Sequence, residues 1–166
     1  MTSSGLSIRL LELADMDAAA RVHRSAFDHA LPWLAGLHTP DEDRWFYRER
    51  MFATCTLWGA FDGEALNGVI ALHDDWVEQL YVLPPAQRRG IGGALLAIAK
   101  QGADRLQLWT FQRNARARRF YEAHDFVPVE ETDGSRNEEK EPDVRYLWTR
   151  ADQPASASRA GAFDDT

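Results

Sequence analysis

The run Gln87-Arg88-Arg89-Gly90-Ile91-Gly92-Gly93-Ala94-Leu95-Leu96 constrains this chain more than any other, because its glycines join an apolar, extended stretch to a helical one. A helix start leaves four backbone N–H groups unpaired and carries roughly half a positive charge from the aligned peptide dipoles. An anion placed there meets donors and a favourable field together. Glycines at 90, 92 and 93 remove side chains that would hold the anion away, and Arg88 and Arg89 add positive charge at the rim. The spacing also excludes two common phosphate sites. A triphosphatase loop needs G-x-x-x-x-G-K-[ST], and no lysine followed by a hydroxyl residue occurs here. A dinucleotide fingerprint needs a third glycine where Leu95 stands, and belongs near the first strand rather than past mid-chain.

The rest of the composition narrows the class. The 166 residues suit one domain with a real core. Net charge is −7, with 26 acidic against 19 basic side chains, which argues against a nucleic-acid binder. Local exceptions are Arg88, Arg89, Arg113, Arg116, Arg118 and Arg119; Arg118 and Arg119 read as an ordinary solvated helix face. Cys55 is the sole cysteine, so no intrachain disulfide forms and a reducing, cytoplasmic setting is expected. The sequence presents neither a charged-then-apolar leader nor an apolar run of membrane-spanning length, so a soluble, unsecreted protein without membrane attachment is expected.

Hydrophobic spacing orders the elements as β-α-α-β-β-β-α-β-α-β-β. Strands are expected over Leu6–Leu11, Thr56–Phe61, Ala65–Leu72, Val77–Leu83, Leu106–Thr110, Phe126–Val129 and Val144–Thr149. Helices are expected from an Asp15 N-cap to Phe27, from Pro40 to Ala53, from Gly90 to Gly102 and from Asn114 to His124. A hairpin turn falls at Asp62-Gly63-Glu64, and Pro84-Pro85 stops the fourth strand. A strand, helix and strand around 77–110 imply a parallel crossover beside antiparallel hairpins, so the sheet is expected to be mixed. From Ala151 the composition turns to Ala, Ser and Asp, and a frayed tail over 151–166 is expected after a domain spanning 1–150.

Downstream of the glycine loop stand Leu108-Trp109-Thr110, then Asn114, Ala117, Phe120-Tyr121-Glu122 and Asp125-Phe126. Read with Gln-x-x-Gly-x-Gly at 87–92, this pattern resembles the two signatures of the GNAT acyltransferase superfamily, in the correct order. The resemblance covers roughly residues 6–149 and is sharpest over 77–126. Asp125 departs from it, standing where the family has a glycine with positive φ; Asp tolerates that conformation better than most side chains. Taken alone, Asn114 is a helix N-cap, and Phe120 and Tyr121 are core residues of an amphipathic helix.

The resemblance implies an α/β (α+β) fold, a mixed, mostly antiparallel twisted sheet of about six or seven strands flanked by about four helices. It implies an N-acetyltransferase in which an amine attacks the thioester of acetyl-CoA directly, with no acyl-enzyme intermediate and no metal. Leu80, Tyr81 and Val82 on a bulged fourth strand are then expected to offer backbone N–H groups to the acyl and pantetheine carbonyls. Gln87, Arg88, Arg89, Gly90, Ile91, Gly92, Gly93 and Ala94 are expected at the diphosphate, with Asn114, Ala117, Phe120 and Tyr121 along the pantetheine arm. Tyr121 matches the family's proton donor to the thiolate, a role open to a phenol that stays protonated at neutral pH. Glu78 is the candidate general base, with His73, Asp74 and Asp75 as nearby alternatives.

The acceptor is expected to lie against the segment from Phe27 to Phe46, which carries His29, Trp33, His38 and Trp45. Acids at Asp74, Asp75, Glu130 and Glu131 favour a cationic amine such as a polyamine, an aminoglycoside or a protein amine. No paired ligand spacing among the five histidines supports a metal enzyme, and no G-x-S-x-G elbow supports a serine hydrolase. Cys55, without an adjacent base, reads as a small buried apolar residue. The rival reading is a non-catalytic acyl-CoA sensor on the same scaffold; a homodimer is a common state of that scaffold.

Overall fold

A computed structural model describes residues 5–152. The expected tail lies outside the described residues, apart from a short turn over Arg150–Asp152. The element order is as the sequence reading has it, and the chain divides into two compact units after Gln101.

In the first unit, strands β1 (Leu6–Leu10), β2 (Thr56–Asp62), β3 (Ala65–His73) and β4 (Trp76–Val82) pair in sequence order, each antiparallel to the next. The β2–β3 hairpin turns at Gly63, whose φ of +60° suits a residue without a Cβ. Helix α1 (Met16–Ala30) buries Met16, Ala19, Ala20 and Val22 against Val69 and Ala71 of β3, with Leu57 and Phe61 of β2 in the same cluster. The opposite face of β3 receives α4 (Ile91–Gln101). A Cβ on Gly68 would lie 2.8 Å from Ile91 Cγ2 and 3.2 Å from Leu95 Cδ1, so the glycine is what lets the helix approach so closely.

The second expected helix comes in three pieces: α2 (Pro40–Trp45), a π-helical segment (Phe46–Met51) and a final turn α3 (Phe52–Thr54). Its start follows the sequence signal at Pro40, which takes the first helical position; a reciprocal capping box between Thr39 and Glu42, not read from the sequence, closes it. The start of α1 differs from expectation. Asp15 caps with no side-chain bond into the helix. Its carboxylate accepts instead from the Arg9 guanidinium and the Glu12 N–H, ending a short 3-10 turn over Leu13–Asp15. The ion pair offers the carboxylate more than a helix N–H does, and it holds the Asp15 carboxyl below its usual range.

In the second unit, β7 (Asp143–Thr149) lies between β5 (Arg105–Phe111) and β6 (Val127–Thr132), antiparallel to both. Val144, Tyr146 and Trp148 alternate onto a buried face, and α5 (Ala115–Ala123) brings Tyr121 to within 6.1 Å of the Tyr146 ring. Asp125, at the turn from α5 toward β6, takes φ +71°, the left-handed conformation that the family's glycine would occupy. Among the described residues, no helix is long and apolar enough to cross a membrane.

Candidate active site

The first unit carries the strand and loop that the sequence singled out. In the β3–β4 ladder Val77 pairs with Leu72 and Gln79 with Ala71, which leaves Glu78 as the extra residue of a β-bulge. The Glu78 side chain is exposed, and its charge adds to burial in raising the Cys55 thiol. Beyond the bulge, Leu83 N–H donates to Asn67 O, so the alternation of an antiparallel pair directs the Tyr81 backbone into the ladder with Val69. Leu80 and Val82 therefore turn their N–H groups to the strand's other edge. Tyr81 contributes its ring, packed against the α1 cluster.

The chain then makes a 3-10 turn over Pro84–Ala86 and arrives at Gln87, whose side-chain amide donates to Val82 O at 2.9 Å. This bond ties the glycine loop to the end of β4. Arg88 has φ +68° and Gly90 φ +81°, so two left-handed residues within three positions bend the loop into the helix. The first helical bond runs from Ala94 N–H to Gly90 O, which leaves the N–H groups of Ile91, Gly92 and Gly93 at the open end of α4. A Cβ on Gly90 would meet nothing within 4 Å, and Arg88 and Arg89 are exposed. Backbone donors at a helix start, preceded by two exposed arginines, fit a diphosphate.

The second unit carries the other signature. Asn114 is the N-cap of α5, its Oδ1 accepting from Ala117 N–H at 3.1 Å. Tyr121 is buried, in edge contact with Phe120 at 5.2 Å and Phe126 at 5.6 Å. Phe120 lies 4.4 Å from the His124 ring, and Ala117 is half-buried on the same helix. Arg118, read from the sequence as a solvated cation, is half-buried. Its Nε donates to the Tyr146 hydroxyl at 3.0 Å, and that hydroxyl donates to Glu122 Oε2 at 2.5 Å. The Arg118 and Glu122 spacing of four, on one helix face, was the available signal for this bracket.

Of the acids proposed to attract a cationic acceptor, Glu130 is paired with Arg145 at 2.9 Å and Glu131 lies 4.0 Å from Arg118. Asp74 lies 3.4 Å from His73 Nε2, while His73 Nδ1 is 2.8 Å from Thr54 O. In the acceptor segment Trp33 and Trp45 are exposed, and His38 lies 3.5 Å from Glu42. Sequence reasoning missed His23. Its Nδ1 is 2.7 Å from the hydroxyl of the fully buried Tyr47, and its ring centroid lies 4.3 Å from that of Tyr81. Burial, together with the Arg24 charge, pulls its pKa down to about 4, so the ring is neutral at physiological pH.

Residues 53–128 match the family model described as an acetyltransferase (GNAT) domain. The peptidyl-lysine N-acetyltransferase YiaC of Escherichia coli strain K12 is 37% identical over 69 residues, 42% of this chain and 47% of that protein. The chain thus aligns with about half the length of that relative. The solution structure of apo-form YjaB from Escherichia coli superposes with a TM-score of 0.74 at 19% identity, covering 87% of this chain and 97% of that one. The PaiA N-acetyltransferase of Thermoplasma acidophilum, solved in complex with coenzyme A, gives 0.66 at 24% identity, over 87% and 99%. The match to the acetyltransferase (GNAT) domain model is confined to residues 53–128, and the α/β fold of the chain is the fold of these solved structures.

Proposed function

We propose that this chain transfers the acetyl group of acetyl-CoA to a primary amine, with residues 1–150 acting as one acyltransferase domain. The observation that carries the reading is the succession in the first unit: a bulge at Glu78, N–H groups of Leu80 and Val82 directed away from β3, and an open helix start at Ile91–Gly93 reached through a left-handed loop. The helix start and Arg88 and Arg89 hold the diphosphate, with Gln87 bracing the loop. Leu80 and Val82 donate to carbonyl oxygens of the thioester and pantetheine, where negative charge develops as the amine attacks. Asn114, Ala117 and Phe120 are assigned to the pantetheine arm through their match to the second motif.

In the reaction the amine lone pair forms the C–N bond as the C–S bond breaks. The departing thiolate takes the proton of the Tyr121 hydroxyl, and the proton lost by the ammonium passes to Glu78, directly or through water. The solved coenzyme A complex of a fold neighbour supports the cofactor, and the peptidyl-lysine activity of the relative in Escherichia coli puts lysine amines first among acceptors to be tried. The sole cysteine suits a reducing, cytoplasmic setting. The test is thiol release from acetyl-CoA with lysine peptides, polyamines, aminoglycosides and amino acids. Release with at least one amine class, lost in Tyr121→Phe, is expected. Coenzyme A binding without release on the whole panel would favour the sensor instead.

A further inference from the structure

His23 stands on the face of α1 that meets the sheet, between Phe27 of its own helix, Phe46 and Tyr47 of the π-helical segment and Tyr81 of β4. The Tyr47 side chain is fully buried, and burial holds its hydroxyl well above the usual phenol range, so it keeps its proton. The hydrogen-bond partner of that hydroxyl is His23 Nδ1 at 2.7 Å. A buried O–H with one acceptor in reach donates to it, because leaving the group unpaired costs about 1–3 kcal/mol. Nδ1 then presents its lone pair, and the neutral ring carries its proton on Nε2.

Nε2 makes no hydrogen bond among the described residues. Nor is it sealed in: the buried side-chain N or O atom left without a partner among those residues is Asp17 Oδ1. The charged and titratable neighbours of the ring are Arg24 and His38, which oppose its protonation, and Asp43, which favours it. Asp43 is held by the Arg24 guanidinium through two 2.8 Å bonds, so much of its charge is already spoken for. The outcome is an uncharged N–H donor, fixed in direction, beside Tyr81 and three residues along from the bulge.

We propose that His23, as the Nε2–H tautomer set by Tyr47, donates a hydrogen bond to a carbonyl oxygen of the acceptor, which makes the acceptor a peptide amine rather than a polyamine. A protonated polyamine offers only N–H donors and gives this group nothing to bond; a peptide backbone offers a carbonyl close to its amine. The inference rests on the acetyl transfer proposed above and adds the recognition of what carries the amine. His23 is here a specificity residue, and the proton is taken from the amine elsewhere.

The test compares wild type with His23→Ala and His23→Gln on a short end-blocked lysine peptide and on spermidine, with coenzyme A affinity measured by calorimetry. The Gln amide N–H reaches the region that Nε2–H occupies. Expected are a rise of about tenfold in the peptide KM for the alanine variant, the size of one lost hydrogen bond, and recovery in the glutamine variant. Spermidine turnover and coenzyme A affinity should stay as in wild type. Equal effects on peptide and polyamine, or a wild-type peptide KM in His23→Ala, would overturn the proposal while leaving acetyl transfer standing. Absence of thiol release by wild type on every amine would overturn acetyl transfer itself. Imidazole nitrogen NMR tests the tautomer without any activity: a proton on Nδ1, or a charged ring at pH 7, would overturn the assignment of His23.

Discussion

His23 ties stability to pH with a sign that can be worked out. Its pKa falls from 6.5 in the unfolded chain to about 4 in the fold, so on acidification the unfolded state takes up the proton first. Stability is whole above about pH 6.5 and declines as pH falls toward about 4, by about 3 kcal/mol from this group. Urea unfolding at pH 7 and pH 4.5 should show most of that loss in wild type and a smaller one in His23→Gln. Tyr121 is a test of chemistry at the same scale. Tyr121→Phe keeps the ring contacts with Phe120, Phe126 and Tyr146 and removes only the hydroxyl. Turnover should fall on the order of a hundredfold or more with coenzyme A affinity kept, whereas an unaltered rate would dismiss the proton-donor role.

At the scale of elements, two substitutions probe how the motifs are held. Asn114→Ala removes the side-chain cap of α5 and should cost about 1 kcal/mol in chemical denaturation, within a range of about 0.5–2. Gly68→Ala forces a Cβ against the Ile91 and Leu95 side chains, which must give way; about 1–3 kcal/mol of stability should go, together with a higher KM for acetyl-CoA. The order of strands and helices was legible because alternation and prolines act over a few residues, as Pro40 and Pro84-Pro85 illustrate. The left-handed conformation at Asp125 was legible too, through its place in the motif. The bulge at Glu78 was suggested by resemblance alone, since it depends on register with β3, which no local pattern encodes. The break of the second helix into a π-helical segment was likewise hidden, and with it the pairing of Tyr47 with His23 across 24 positions. Arg118 was misread because its partner Tyr146 lies 28 residues away on β7.

For the molecule as a whole, an acidic chain of net charge −7 keeps two exposed arginines where the proposed cofactor is most negative. Several acids elsewhere are already matched by cations, such as Asp43 by Arg24 and Glu130 by Arg145, so net charge alone is a poor guide to the acceptor. The central claim is that the open amides at the start of α4 receive the diphosphate of acetyl-CoA. Backbone amide NMR of the full chain during titration with coenzyme A tests this most directly. Large, saturable shifts at Ile91, Gly92 and Gly93, weakened by extra salt, are the predicted result; a titration that leaves those three amides in place would contradict it.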